Sequence, residues 1–89
     1  MKAIRIVIHG QVQGVFFRKH TEDQARKLNI LGTVRNLSSG SVEVIAQGEK
    51  TALDSLTKWC FQGSPSSKVE SVEVFDTVMQ PFSGFRTIH

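Results

Sequence analysis

The order in which two hydrophobic periods alternate along the chain is the feature that most limits its fold. Residues 2–9 place apolar side chains at every second position, with three isoleucines on one side, and this is the pattern of a half-covered strand. From Phe17 the apolar spacing becomes helical, and the helix is expected to close near Asn29. Acidic residues early in this helix, Glu22 and Asp23, are expected to complement its dipole.

The middle of the chain predicts a hairpin followed by a second helix. Two β-type runs, residues 33–37 and 41–48, flank a short link that contains a glycine, which favours antiparallel pairing of strands two and three. Residues 51–61 then show a helical apolar stripe, and Gly63 and Pro65 end it.

A fourth strand and a short apolar end complete the pattern. Residues 69–78 read as a strand, although Val69 is out of phase with Val72 and Val74, so a bulge or a late start is expected. The terminal "FRTI" predicts a short edge strand. The βαββαβ order predicts an α+β, ferredoxin-like sandwich: an antiparallel sheet with two helices on one face and a short C-terminal edge strand. At 89 residues, the chain is expected to be one domain, residues 1–89.

Composition excludes several classes of protein. Cys60 is the only cysteine, so no intrachain disulfide can form, the Cys/His pairs of a structural zinc site are missing, and a reducing compartment fits best. No apolar run approaches the length of a membrane span, so we expect a soluble, cytoplasmic protein with no membrane partner. The net charge is +3, with seven Lys/Arg in residues 1–36, which indicates either an anionic partner near that half or only a solvated face.

The segment "HGQVQGVFFRKH", residues 9–20, joins strand one to helix one and has the properties of an anion seat. The first N–H groups of a helix lack intrahelical partners and lie at the positive end of its dipole. Gly10 and Gly14 permit positive φ and close approach of a ligand, so the amides can curve around a phosphate, and Arg18 on the first helical turn can grip two phosphate oxygens. The spacing alone leaves open a glycine-rich turn with a surface arginine.

Two segments carry a resemblance to a known family. "GQVQGVFFR" followed by "RNLSSGSVEV" resembles the two signature segments of acylphosphatases in order and separation, and the similarity extends to "KWC" and "GFRTIH". The resemblance implies an enzyme that hydrolyses acyl phosphates to a carboxylate and inorganic phosphate without a metal or cofactor. It assigns Arg18 to binding the substrate phosphate and Asn36 to orienting the attacking water. The backbone that would cradle the phosphate belongs to Gln11, Val12, Gln13, Gly14, Val15, Phe16 and Phe17.

Alternatives from other classes remain, namely an RNA-binding module or a non-catalytic module for phosphorylated metabolites. RNA-recognition motifs carry aromatic residues on strand three, which has none here, so we expect no nucleic-acid partner, only a small acyl phosphate, and a monomer. The water-orienting role that the resemblance assigns to Asn36 is needed by an enzyme and not by a binding module, so this residue distinguishes the two alternatives. His9 and His20 are expected to be structural or supporting residues, and Arg35 should point to the face opposite Asn36.

Overall fold

The computed structural model describes all residues from Met1 to His89 and contains two helices and five strands. In chain order these are β1 (Lys2–Gln11), α1 (Phe17–Lys27), β2 (Leu31–Asn36), β3 (Val42–Gly48), α2 (Lys50–Gln62), β4 (Lys68–Asp76) and β5 (Phe85–Thr87). The strands form one sheet in the order β4-β1-β3-β2-β5. This is the predicted ferredoxin-like sandwich, and the fold prediction is confirmed.

The last strand gives the sheet its mixed character. The pairs β1–β3, β1–β4 and β2–β3 are antiparallel, as predicted, whereas the edge strand β5 runs parallel to β2. Because β4 runs antiparallel to β2, a chain that reverses after β4 must lie beside β2 in the same direction. The short C-terminal edge strand is therefore present, and it carries residues 85–87 to the end of the sheet where α1 begins.

One hydrophobic core lies between the sheet and the two helices. The isoleucines of β1 pair across the sheet with Val42, Val44 and Ala46 of β3, and all six side chains are buried on the helix side. Each helix contributes the stripe that its sequence predicts, and the rings of Phe17 and Trp59 meet between the helices at a centroid distance of 5.3 Å. Burial of these apolar surfaces is the main stabilising term in a domain of this size.

The acidic residues of α1 do not complement its dipole, contrary to expectation. The first turn contains no acidic residue, and Glu22 and Asp23 lie one turn later because the helix begins at Phe17. Glu22 instead accepts hydrogen bonds of 3.0 Å from the backbone N–H and the hydroxyl of Thr87, which tie β5 to the helix. The positive end of the helix is therefore left without an internal counter-charge.

A bulge in β4 resolves the phase problem in its sequence. The register of the β1–β4 pair shifts between His9 and Gly10, so that Glu70 is the extra residue between Val69 and Ser71. Both Val69 and Val72 consequently pack against the core although they are three residues apart. The bulge that the sequence suggested is confirmed.

The open face of the sheet is held by a charged cluster. Glu43 is buried and accepts hydrogen bonds from Arg5 at 2.7 Å and Arg35 at 2.8 Å, so Arg35 lies on the face opposite Asn36, as predicted. Burial would raise the pKa of the Glu43 carboxyl, but the hydrogen bonds and charges of the two arginines outweigh it and lower the pKa. This carboxylate therefore stays ionised at neutral pH and fixes both arginines away from the helices.

Cys60 of α2 is buried in the core, and burial raises the pKa of its thiol to about 12, which makes it an inert apolar residue rather than a nucleophile.

Neither helix is long and apolar enough to cross a membrane.

Gly10 gives a test of the backbone packing of β1 against β4 at the bulge. Its φ is 132°, and a Cβ atom there would lie 2.2 Å from the carbonyl oxygen of Lys68, so the close approach at this glycine is to β4 rather than to a ligand. Gly10→Ala should lower the free energy of unfolding by about 3 kcal/mol or more because both strain and overlap oppose it. Urea unfolding measures the change. Gly84→Ala, where a Cβ atom meets nothing within 4 Å, is the control and should change stability by less than about 0.5 kcal/mol.

Candidate active site

A cavity of about 310 Å³ opens where the end of β1 turns into α1, beside the ends of β2 and β5. Its lining consists of Val12, Gly14, Phe16, Phe17, Arg18, Lys19, Asn36 and Thr87. The fold thus brings Arg18 and Asn36 to one cavity although 17 residues separate them in the sequence. Lys19 and Thr87 were not predicted, and Thr87 had no local signal because only the pairing of β5 with β2 brings it here.

The loop between β1 and α1 presents unbonded amides. None of the five backbone N–H groups from Val12 to Phe16 donates a hydrogen bond inside the protein, and the first helical bond runs from His20 N–H to the Phe16 carbonyl. Gly14 and Phe16 have φ of 73° and 59°, which are left-handed values that curve the chain. For Phe16 this conformation costs about 1–2 kcal/mol. Such an arrangement of amides at the start of a helix suits an anion.

The predicted cradle residues divide into two groups. Val12, Gly14, Phe16 and Phe17 line the cavity. Gln11, Gln13 and Val15 do not line it: Gln11 is still part of β1, paired with Lys68, because the strand extends two residues further than its alternating pattern indicated.

Two anchors hold the loop in place, and sequence reasoning missed both. The side-chain amide of Gln13 donates to the carbonyls of Leu37 and Ser41, each at 2.8 Å, and so ties the loop to the turn between β2 and β3. On the other side, the hydroxyl of buried Ser64 donates to the Val15 carbonyl at 2.9 Å. The two residues of each hydrogen bond lie 24 to 49 positions apart in the sequence, so no local sequence pattern predicts these contacts.

The guanidinium of Arg18 is available to an anion. Arg5, Arg26 and Arg35 are each paired with a carboxylate, whereas Arg18 forms no salt bridge. Its only side-chain contact of hydrogen-bond length is 3.4 Å, from Nη1 to Nδ1 of exposed His89. Because an unpaired guanidinium offers a planar set of donors, Arg18 can bind two oxygens of one phosphate.

Asn36 carries the only buried side-chain polar atom that lacks a hydrogen-bond partner in the protein. It lies at the end of β2 opposite Val42, so its side chain is on the helix face of the sheet, and its Oδ1 is fully buried at the cavity. Leaving such an acceptor unsatisfied costs about 1–3 kcal/mol. The protein itself supplies no donor to this oxygen, and an exception of this kind requires an explanation other than packing.

Neither histidine near the loop lines the cavity. His9 is on the open face of the sheet, where its ring nitrogens lie 2.6 Å from the Ser41 hydroxyl and 2.6 Å from a Glu73 carboxylate oxygen. Since the Ser41 carbonyl accepts the bond from Gln13, His9 supports the turn that anchors the loop. A supporting role for His9, as expected, agrees with this geometry.

These features define a class: a small ferredoxin-like sandwich with an anion-directed cavity at the junction of its first strand and first helix. The acylphosphatase family model matches residues 4–87, and the chain belongs to the acylphosphatase family. An acylphosphatase of Rubrobacter xylanophilus is 46% identical over 83 residues, which cover 93% of this chain and 73% of the relative.

Solved structures agree with the family assignment. The crystal structure of acylphosphatase from Bacillus subtilis superposes with a TM-score of 0.96 and 34% identity over the full length of both chains. An acylphosphatase from Coxiella burnetii gives a TM-score of 0.94 and 38% identity, covering 98% of this chain and 92% of that one. The resemblance found in the sequence is therefore confirmed, and hydrolysis of acyl phosphates is the activity that family membership supports.

Removing the anchor at Gln13 tests how firmly the loop is held. Gln13→Ala removes two hydrogen bonds, whereas the Leu37 and Ser41 carbonyls keep backbone donors, so the free energy of unfolding should fall by about 1–2 kcal/mol. Urea unfolding measures this change. Gln11→Ala, at an exposed position whose side chain makes no hydrogen bond, is the matched control and should leave stability within about 0.5 kcal/mol. Equal effects of the two substitutions would show that the anchor contributes nothing.

Proposed function

We propose that the protein hydrolyses acyl phosphates to a carboxylate and inorganic phosphate in the cavity between the β1–α1 loop and Asn36. One observation carries the proposal. A single cavity is lined by three residues of the loop with unbonded backbone amides, by an arginine without a carboxylate partner and by Asn36, whose buried carboxamide oxygen has no donor. Donors for an oxyanion and an acceptor for water are thus present together.

Phosphate binding is the first task of this site. The amides of Val12 to Phe16 and the positive end of α1 supply fixed donors, and Arg18 adds a charged, two-point contact. The first turn of α1 holds no acid that would compete for these donors. Because the donors are already oriented, they stabilise charge on the transferring phosphoryl group without reorganising during the reaction.

Water activation is the second task and falls to Asn36. Its Oδ1 accepts a hydrogen bond from the attacking water, and its NH₂ group donates without titrating. The leaving group is a carboxylate, a weak base that departs without a proton, so no general acid is required. The cavity agrees with this chemistry, since its only titratable side chains are the cations Arg18 and Lys19. A phosphate oxygen of the substrate takes the proton from water.

We further propose that residues 1–89 act as one monomeric, cytoplasmic domain that needs no metal or cofactor and binds no nucleic acid. The single core supports one domain, and the buried lone thiol of Cys60 suits a reducing compartment. The two central strands present no phenylalanine, tyrosine or tryptophan on the open face, which is where an RNA-binding sandwich would stack bases. A non-catalytic phosphate-binding module is less favoured because phosphate binding requires hydrogen-bond donors, whereas the buried Asn36 oxygen is an acceptor.

Arg18→Lys tests the proposed phosphate clamp. The wild-type chain should hydrolyse acetyl phosphate and benzoyl phosphate with EDTA present, and the substitution should lower kcat/KM by about 10² or more because the planar two-point contact is lost. Release of inorganic phosphate is the measurement. Arg86→Lys, at an exposed arginine of β5 without a side-chain hydrogen bond or salt bridge, is the control and should retain full activity. A lysine at position 18 that keeps most activity would contradict the clamp.

Asn36→Ala tests the water-orienting role. Since that role matters mainly in the transition state, kcat should fall by about 10²–10³ while the inhibition constant of inorganic phosphate changes by less than about threefold. Steady-state kinetics with phosphate as competitive inhibitor measure both quantities, and urea unfolding confirms that the variant is folded. If phosphate affinity fell as steeply as turnover, Asn36 would be a ligand of the phosphate instead.

A further inference from the structure

Phe16 combines two features that packing does not explain. Its side chain is 77% exposed although it is one of the largest apolar residues in the chain, and its backbone has a φ of 59°. A bulky residue is unfavourable in this left-handed region, where glycine would carry no penalty. Such residues cluster where a ligand is held. Phe16 also lines the cavity that we propose to bind the substrate.

The cavity has a buried floor and an exposed mouth. Val12, Phe17 and the Oδ1 atom of Asn36 are buried, whereas Phe16 and Lys19 are exposed. In phosphoryl transfer the attacking and leaving oxygens lie roughly in line through phosphorus. If water is held at the floor by Asn36, the carboxylate leaves toward the mouth. The acyl group of the substrate therefore emerges beside Phe16.

The volume of the cavity leaves room for part of that acyl group. It measures about 310 Å³, roughly ten times the ~30 Å³ that one water molecule occupies in the liquid. A phosphoryl group has only a phosphorus atom and a few oxygens, so the rest of the space is open to the acyl side. The ammonium of Lys19 at the mouth is paired with Asp23 at 3.1 Å, which leaves the ring of Phe16 as the uncommitted surface.

We propose that Phe16 is a platform for the acyl group and that it makes the enzyme favour acyl phosphates with an aromatic, uncharged acyl group over acetyl phosphate. This inference rests on the proposed function. An aryl group leaving the phosphate seat contacts the face or edge of the Phe16 ring, and the exposed ring loses water-accessible surface when it does so. The conformation of Phe16 holds its ring out of the core, so the ring contributes to substrate binding and little to stability.

The test compares two substrates in three variants. Phe16→Ala should lower kcat/KM for benzoyl phosphate about three- to tenfold, the range expected for one aromatic contact, and change that for acetyl phosphate by less than twofold. Phe61→Ala is the matched control: it removes another exposed phenylalanine, on α2 and outside the cavity, and should change neither value. Phe16→Leu, which keeps an apolar side chain without a ring, should lie between wild type and Phe16→Ala.

A binding measurement separates this inference from the proposed function. Benzoylphosphonate and acetylphosphonate resemble acyl phosphates but resist hydrolysis, and their inhibition or calorimetric binding should show the same Phe16-dependent difference. A benzoyl-to-acetyl ratio unchanged by Phe16→Ala would overturn the platform, and so would an equal loss for both ligands, which would assign Phe16 to the shape of the loop. A wild-type chain that hydrolyses neither acyl phosphate, yet binds benzoylphosphonate more tightly through Phe16, would refute the proposed function and leave the platform standing.

Discussion

The unbonded amides between β1 and α1 are the constraint on which the rest of the site depends. A backbone N–H without a partner is unfavourable unless water or a ligand satisfies it, and here five occur in succession. The chain curves beside the cavity through the left-handed residues Gly14 and Phe16, and α1 begins without an acidic first turn. Arg18 and Asn36 line the same cavity, the guanidinium without a carboxylate partner and the Asn36 Oδ1 without a donor, which is the arrangement that the proposed anion and its attacking water need.

The surrounding structure holds this unfavourable arrangement in place. Gln13 ties the loop to the β2–β3 turn, which follows directly on Asn36, and Ser64 ties it to the segment after α2. The side chain of Gln13 therefore couples the β1–α1 loop to the strand that carries Asn36. Behind that turn, His9 joins Ser41 to Glu73 across the open face. A rigid frame of this kind is what a mechanism based on positioning needs.

Most of the fold could be predicted because the apolar residues of each helix and strand recur with the spacing typical of that element. The strand alternation of β1, the stripes of both helices and the glycine-containing link of the hairpin all lie within about a dozen residues of sequence. Even the bulge in β4 was visible in the sequence, because Val69 is out of phase with the apolar alternation of Val72 and Val74. The start of α1 at Phe17 was predicted correctly, but Glu22 and Asp23 are the sixth and seventh residues of the helix and lie beyond the first turn, where the dipole acts most strongly. The parallel direction of β5 follows from the path of the chain across the sheet.

The sequence by itself determined which residue types are available for the chemistry: a glycine-containing turn before a helix, an arginine on its first turn and an asparagine at a strand end. Only the tertiary structure decided that Arg18 lacks a carboxylate partner, that the Asn36 oxygen is buried without a donor, and that the side chain of Gln13 ties the loop to the β2–β3 turn. It also decided that Phe16 stands exposed at the mouth while Phe17 enters the core. The physical reason is that periodicity records which face of an element is apolar, whereas pairing and burial of polar atoms depend on partners that are distant in sequence and are set by the packing of the whole chain.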